Sequence, residues 1–222
     1  MTSIRKRRSN KEKEHERLLT ISEFERPYWN EGILVAGMDE VGRGPLAGPV
    51  VAAAVVMPAG CLIEGVKDSK KLSKANLGEL YGSIMEKAVS VGVGWVDERT
   101  IDEINILQAT KRAFSAAFAS LDKKVGVAFI DAVKGLEIPA KQFPIIHGDA
   151  LCYSIAAASI IAKVERDRFM IRMAEKYPQY GFEKNVGYGT QQHIDALKRY
   201  GPCEIHRMSF LKNFFGELPN NL

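Results

Sequence analysis

The amino-acid sequence predicts an α/β domain, a five-stranded mixed sheet flanked by helices, with a helical carboxyl-terminal region after it. Three observations carry that expectation. Five short apolar runs, at residues 33–40, 50–57, 89–96, 125–130 and 143–146, alternate with segments of helical character. The first two runs are joined by a short Gly/Pro turn, which favours an antiparallel pair. The 222 residues are 46% hydrophobic and 26% charged, as expected of one globular domain with at most a small appendage.

Taken in order, residues 1–30 read as a charged amino-terminal arm, flexible or helical, and residues 31–222 as the main domain. Arg5-Lys6-Arg7-Arg8 is a basic cluster and residues 11–17 mix both signs, the pattern of a solvated face. Contact with a nucleic-acid backbone is the alternative use of that arm. Ser73 caps a helix to about Lys87. Thr100-Ile101-Asp102-Glu103 reads as a capping box opening a helix to about Leu121. The run 125–130 ends in Asp131, and after His147-Gly148-Asp149 a long helix is expected to about Tyr177. Thr190 caps a further helix to Tyr200 within the helical region at about 178–222. The tail Phe210-Leu211-Lys212-Asn213-Phe214-Phe215 is expected to close the core. Docking to a sliding clamp is the weaker reading, because the usual glutamine-led spacing is missing.

Composition narrows the class. Cys61, Cys152 and Cys203 are odd in number and form no CxxC pair, which argues against a disulfide framework or zinc site and for a reducing compartment. The apolar run 50–57 is too short to span a bilayer, and no apolar segment follows the basic amino terminus as in a signal peptide. A cytoplasmic monomer is expected. A net charge of +4 suits a polyanionic partner. No GxxxxGK[ST] and no GxGxxG occurs, which disfavours an ATPase or a dinucleotide-dependent dehydrogenase.

The most informative stretch runs from Gly37 to Gly48. Asp39 and Glu40 end an apolar strand, and Gly42-Arg43-Gly44 follows at once. Ionised carboxylates at a buried strand end need a partner, and a divalent cation is the natural one for oxygen donors. The glycines allow backbone amides to approach a phosphate or sugar. A strand-to-turn exit with a solvated acidic pair is the plainer alternative. Asp131 ends a second apolar strand, so parallel neighbours would bring it to Asp39 at one rim of the sheet. Asp149 would join them from above, unless it serves only to cap its helix. Asp39 and Glu40 would point to opposite faces unless the strand ends at the glycine turn. Four carboxylates on one rim would hold two divalent ions suited to in-line phosphoryl displacement.

The chain resembles the bacterial ribonuclease HII family, the type 2 ribonucleases H, over roughly residues 33–212. The matching segments are Asp39 to Val51, Asp68-Ser69-Lys70-Lys71-Leu72-Ser73, Phe129-Ile130-Asp131-Ala132, Gly148-Asp149-Ala150, Ser154 to Lys163, Gly187-Tyr188-Gly189-Thr190 and Ile205-His206-Arg207. The resemblance implies a ribonuclease H-like fold. It implies an endoribonuclease that degrades RNA in RNA–DNA hybrids and incises 5′ to single ribonucleotides in duplex DNA, leaving 3′-hydroxyl and 5′-phosphate ends. It implies that Asp39, Glu40, Asp131 and Asp149 bind two Mg²⁺ or Mn²⁺ ions and carry catalysis. Gly42, Arg43 and Gly44 would read the ribose 2′-hydroxyl, Tyr188 would pack on the next sugar, and Lys70 would touch a phosphate. His147 departs from the lysine common at its position, and Cys203 and Met208 flank Ile205-His206-Arg207 where small polar and basic residues are usual. The related type 3 family differs around the Gly42-Arg43-Gly44 turn. A non-catalytic binder of hybrid duplexes is the remaining alternative, and the carboxylates argue against it, since without metal they would repel a polyanion.

Overall fold

The computed structural model describes residues 9–215, with the side chains of 213–215 and the basic cluster Arg5-Lys6-Arg7-Arg8 outside the described set. Helix α1 (Asn10–Ile21) opens on a complete capping box, in which Ser9 and Glu12 each accept the other's backbone N–H, at 3.2 and 2.7 Å respectively. A five-residue helix α2 (Arg26–Asn30) follows. This segment is not simply solvated. Leu18 and Ile21, one turn apart amid charged residues, are buried against the body of the protein.

Strand β1 (Val35–Val41) turns through Gly42–Pro49 into β2 (Val50–Val56), its antiparallel partner. A 3-10 turn, Ser69–Lys71, precedes α3 (Lys74–Lys87), which Ser73 caps through the Asn76 N–H. Strand β3 (Ser90–Val96) is antiparallel to β2. Helix α4 (Glu98–Ala119) starts earlier than the sequence suggests. Asp97, not Thr100, is the cap, because its carboxylate accepts the Thr100 N–H at 2.8 Å. Asn105 interrupts the helix at φ 66°, and its side chain accepts from the Leu107 and Gln108 N–H groups, capping the second segment afresh.

Strands β4 (Val127–Asp131) and β5 (Lys141–Ile145) complete a sheet of order β3-β2-β1-β4-β5, with β1, β4 and β5 parallel. The long helix expected after Asp149 is two helices, α5 (Gly148–Leu151) and α6 (Tyr153–Lys176), broken at an extended Cys152. The break is held from the amino-terminal segment. Buried Glu25 accepts from the Ser154 N–H at 2.8 Å, the Ser154 hydroxyl at 2.7 Å and the Cys152 thiol at 3.1 Å. Helices α7 (Phe182–Asn185), α8 (Gln191–Tyr200) and α9 (Met208–Phe215) form the carboxyl-terminal region.

Helix α4 covers one face of the sheet and α6 the other. Both come unusually close because glycines line the contacts. A methyl group at Gly37 would lie 1.9 Å from the Ser154 carbonyl carbon, and one at Gly92 or Gly94 would lie 2.0 Å from the Ala117 or Ala113 oxygen. A third core, built on Leu46, Met170, Tyr180, Phe182, Leu197 and Leu211, joins the carboxyl-terminal helices to the β1–β2 turn. That junction positions the site.

Candidate active site

Strands β1 and β4 are parallel, with Met38 opposite Ile130. The next residue on each is a carboxylate, so Asp39 and Asp131 leave the sheet side by side at its carboxyl-terminal rim. The strand does not end at the acidic pair, as β1 continues to Val41. Glu40 reaches the same rim because β4 stops at Asp131 and leaves the end of β1 uncovered on that side. Beyond β5, His147 adopts a left-handed φ of 57° that turns the chain back over the rim. The Gly148 N–H then donates to Asp131 Oδ1 at 2.8 Å, which fixes the adjoining Asp149 above Asp131. Asp149 caps nothing. It is buried, and its Oδ2 lies 3.1 Å from Lys70 Nζ on the Ser69–Lys71 turn.

The rim carries more negative charge than the protein neutralises. Burial pushes the Asp39 carboxyl well above the usual range, and the charges of Glu40, Asp131 and Asp149 push it further. Burial also raises Glu40 and Asp131, against the pull of Arg43 on the first and of the Gly148 N–H on the second. Glu40 Oε1 lies 3.3 Å from Arg43 Nη1, whereas its Oε2 is buried with no partner. Among the described residues no three His, Cys, Asp or Glu side chains close into a ready-made cation cage. The four carboxylates form an open ring of oxygen donors, touched by Lys70 and Arg43.

The Gly42–Pro49 turn beside this ring is shaped from beneath by two buried arginines. Arg207 donates to the carbonyl oxygens of Gly42, Arg43 and Gly48 at 2.5, 3.0 and 2.7 Å. Arg166 donates to those of Ala47, Pro49 and Val186 at 3.0, 2.9 and 2.9 Å. Burial draws the Arg166 guanidinium down to about 10, and burial together with Arg166 draws Arg207 down to about 9. Gly42, at φ +92°, has no alternative residue, since a methyl there would lie 2.3 Å from Arg166 Nε.

Tyr188 lies against this turn. It is 44% exposed, and a methyl on Gly44 would sit 3.8 Å from its ring. Its backbone is held by a chain of hydrogen bonds whose direction follows from the end groups. The Tyr188 carbonyl can only accept, so His193 Nδ1 carries a proton and donates to it at 2.9 Å. The Cys203 N–H can only donate, so His206 Nδ1 is bare and accepts it at 2.8 Å. The two Nε2 atoms are 3.0 Å apart, and therefore His206 donates to His193. Burial lowers both imidazoles, His206 to about 4, which keeps the neutral tautomers this chain needs.

The structure thus gathers Asp39, Glu40, Asp131, Asp149 and Lys70 on one rim, with Gly42, Arg43, Gly44 and Tyr188 at its edge. No role is assigned from sequence to Arg166, His193, His206 or Arg207, all of which the structure places beneath the turn or behind Tyr188. Arg166 lies in a helix that is buried from Tyr153 to Ala162, the one hint that its charge points inward. Lys163 and Arg168, its neighbours, instead pair with Asp167 and stack on Tyr81.

Comparison with known proteins places the chain by sequence and fold. The profile described as Ribonuclease HII matches residues 36–213. Ribonuclease HII of Ruminiclostridium cellulolyticum is 55% identical over 204 residues, covering 91% of this chain and 80% of the relative. The Acetivibrio thermocellus protein is 52% identical over 210 residues, covering 94% and 82%. Ribonuclease H2 from Pyrococcus horikoshii superposes with a TM-score of 0.69 at 30% identity, covering 80% of this chain and 93% of that one. Ribonuclease HII of Archaeoglobus fulgidus, solved in complex with PCNA, superposes at 0.66 with 28% identity, covering 86% and 98%. In sequence and topology this chain belongs to the ribonuclease HII family of endoribonucleases, which act on RNA–DNA hybrids.

Proposed function

We propose that this enzyme incises 5′ to single ribonucleotides embedded in duplex DNA as well as within RNA–DNA hybrids, leaving 3′-hydroxyl and 5′-phosphate ends. The observation that carries the reading is the parallel register of β1 and β4, which sets Asp39 beside Asp131 next to the Gly42–Gly44 turn. Asp39, Glu40, Asp131 and Asp149 would hold two divalent ions, Mg²⁺ or Mn²⁺. The donor set fits them, being all oxygen, in negative excess, and including a buried Glu40 Oε2 without a partner. When bound, such a pair activates water and stabilises the leaving oxygen of an in-line displacement.

The chain's own residues supply the rest. The Gly148 N–H holds Asp131 in a fixed orientation. Lys70 bridges the site to the incoming phosphate backbone, exchanging Asp149 for a phosphate oxygen as the duplex arrives. The Gly42–Gly44 turn meets the ribose 2′-hydroxyl, the group that separates RNA from DNA. Tyr188 packs on the following sugar at the RNA-to-DNA junction.

We read the enzyme as a cytoplasmic monomer; its three cysteines are free, as suits a reducing compartment, and among the described residues no helix is long and apolar enough to cross a membrane. A sliding clamp is a secondary partner class, supported by the PCNA complex of the A. fulgidus relative. Leu211 is buried in the third core and Phe210 packs on it, so a clamp would have to engage the tail beyond Lys212.

The test is cleavage of a labelled duplex with one ribonucleotide, in Mg²⁺, in Mn²⁺ and in chelator, beside all-DNA and RNA–DNA duplexes. Metal-dependent incision 5′ to the ribonucleotide is expected. Cutting confined to the long hybrid would overturn the single-ribonucleotide reading.

A further inference from the structure

We infer that Arg207 is a positioning residue for substrate discrimination: it turns the Arg43 and Gly44 backbone N–H groups outward as paired donors to the ribose hydroxyl. This rests on the reading of the Gly42–Gly44 turn given above. Across a trans peptide the C=O of one residue and the N–H of the next point in opposite directions, and no cis peptide occurs among the described residues. Arg207 is completely buried and takes the Gly42 and Arg43 carbonyls, at 2.5 and 3.0 Å, inward. The N–H groups of Arg43 and Gly44 must therefore face the other way, and both residues are exposed while Gly42 is buried. Neither N–H has a protein partner among the described residues.

The second buried arginine provides the contrast. Two of the three peptides that Arg166 grips carry N–H groups already used inside the protein. The Gly48 N–H behind Ala47 donates to Ile205 at 2.8 Å, and the Gly187 N–H behind Val186 donates to Asn185 Oδ1 at 2.8 Å. Arg207 also grips Gly48, whose following residue is proline and has no N–H to present. The Gly42 and Arg43 contacts leave unused donors, and these stand next to Tyr188 and the carboxylate rim. A guanidinium is suited to this task because its rigid fork can hold successive carbonyls in fixed directions, which a lysine ammonium cannot.

Three measurements test this. In the wild-type protein, amide hydrogen exchange at Arg43 and Gly44 should be unprotected, then slowed by a single-ribonucleotide duplex in chelator, and not by an all-DNA duplex of the same sequence. Protection of both amides in the free protein overturns the inference, and this arm decides even where a variant fails to fold. In Arg207→Lys, kcat/KM on the single-ribonucleotide duplex should fall on the order of 100-fold. Affinity for all-DNA duplex should stay unchanged, so the ribose-over-deoxyribose binding ratio collapses toward one. Arg166→Lys should lose stability yet keep that ratio. An unchanged ratio in folded Arg207→Lys overturns the role of Arg207. Replacing the Gly44 peptide bond by an ester, which deletes its N–H, separates the two levels. If the ester lowers the ratio and Arg207→Lys does not, the turn reading stands and Arg207 is excluded. If neither lowers it, the turn reading itself fails.

Discussion

Gly37→Ala probes how closely the site depends on the sheet-to-helix contact beneath it. The added methyl would lie 1.9 Å from the Ser154 carbonyl carbon, 2.2 Å from its oxygen and 2.3 Å from the Ile155 nitrogen. Carbon atoms in contact sit about 3.5–4.0 Å apart, so β1 and α6 must part by roughly 1.5 Å at this crossing. Both sides of the clash are backbone, and no flexible side chain is there to yield. Overpacking by one methyl typically costs about 1–3 kcal/mol, and this rigid contact belongs at or above the upper end. For a chain of this size about 3 kcal/mol lowers Tm by roughly 6–12 °C. The same movement separates Asp39, two residues along β1, from Asp149 just ahead of α6. Catalytic groups tolerate displacements of only about 0.5 Å, so cleavage should fall on the order of 100-fold. Thermal melting and cleavage of the single-ribonucleotide duplex measure both effects. Gly82→Ala is the matched control, since that glycine lies within α3 with nothing inside 4 Å of the added methyl. It should stabilise by about 0.5–1 kcal/mol and leave cleavage unchanged. A Gly37→Ala protein that melts and cuts like wild type would refute the reasoning.

Asp131→Asn should abolish cleavage while leaving duplex binding largely intact, measured by single-turnover assay and by titration in chelator; normal turnover would remove Asp131 from the mechanism. Asp39→Asn should be inactive but, without metal, more stable than wild type by a margin that widens with pH. The folded Asp39 carboxyl is raised above 3.8, so its contribution is greatest below that pH and is lost as pH rises through the folded value; Tm in chelator from pH 4 to 7 checks this, and a narrowing gap would contradict it. The histidine chain has the opposite sign. His206 is lowered from 6.5 to about 4, so its contribution is present above pH 6.5 and lost as pH falls toward 4; His206→Phe should flatten this acid limb of the Tm profile while weakening Tyr188-dependent cleavage several-fold. Lys70→Gln should reduce the salt dependence of duplex affinity by about one phosphate contact; an unaltered slope would exclude the phosphate role.

Much of this protein is local and can be read from the chain. The apolar runs mark five strands within a few residues, and β2, buried on both faces, is the most continuous of them. Ser73 and Thr190 cap their helices as expected, since capping uses a side chain and a backbone three residues away. Asp39, Glu40, Asp131 and Asp149 stand out as carboxylates where strands and helices end, and the glycines between them mark the turn. The start of α4 was misplaced by three residues because Asp97 and Thr100 offer competing caps, and only the backbone decides which one accepts.

Tertiary structure alone decided the rest. The register of β1 against β4 joins residues about ninety positions apart and turns two separate aspartates into one site. Glu25 holds a helix break at Ser154, and Arg207 holds a turn at Gly42, across 129 and 165 residues. An arginine has the same local appearance whether it faces water or grips buried carbonyls. Its direction depends on which distant backbone groups lack partners, and that is settled only when the chain has closed around them.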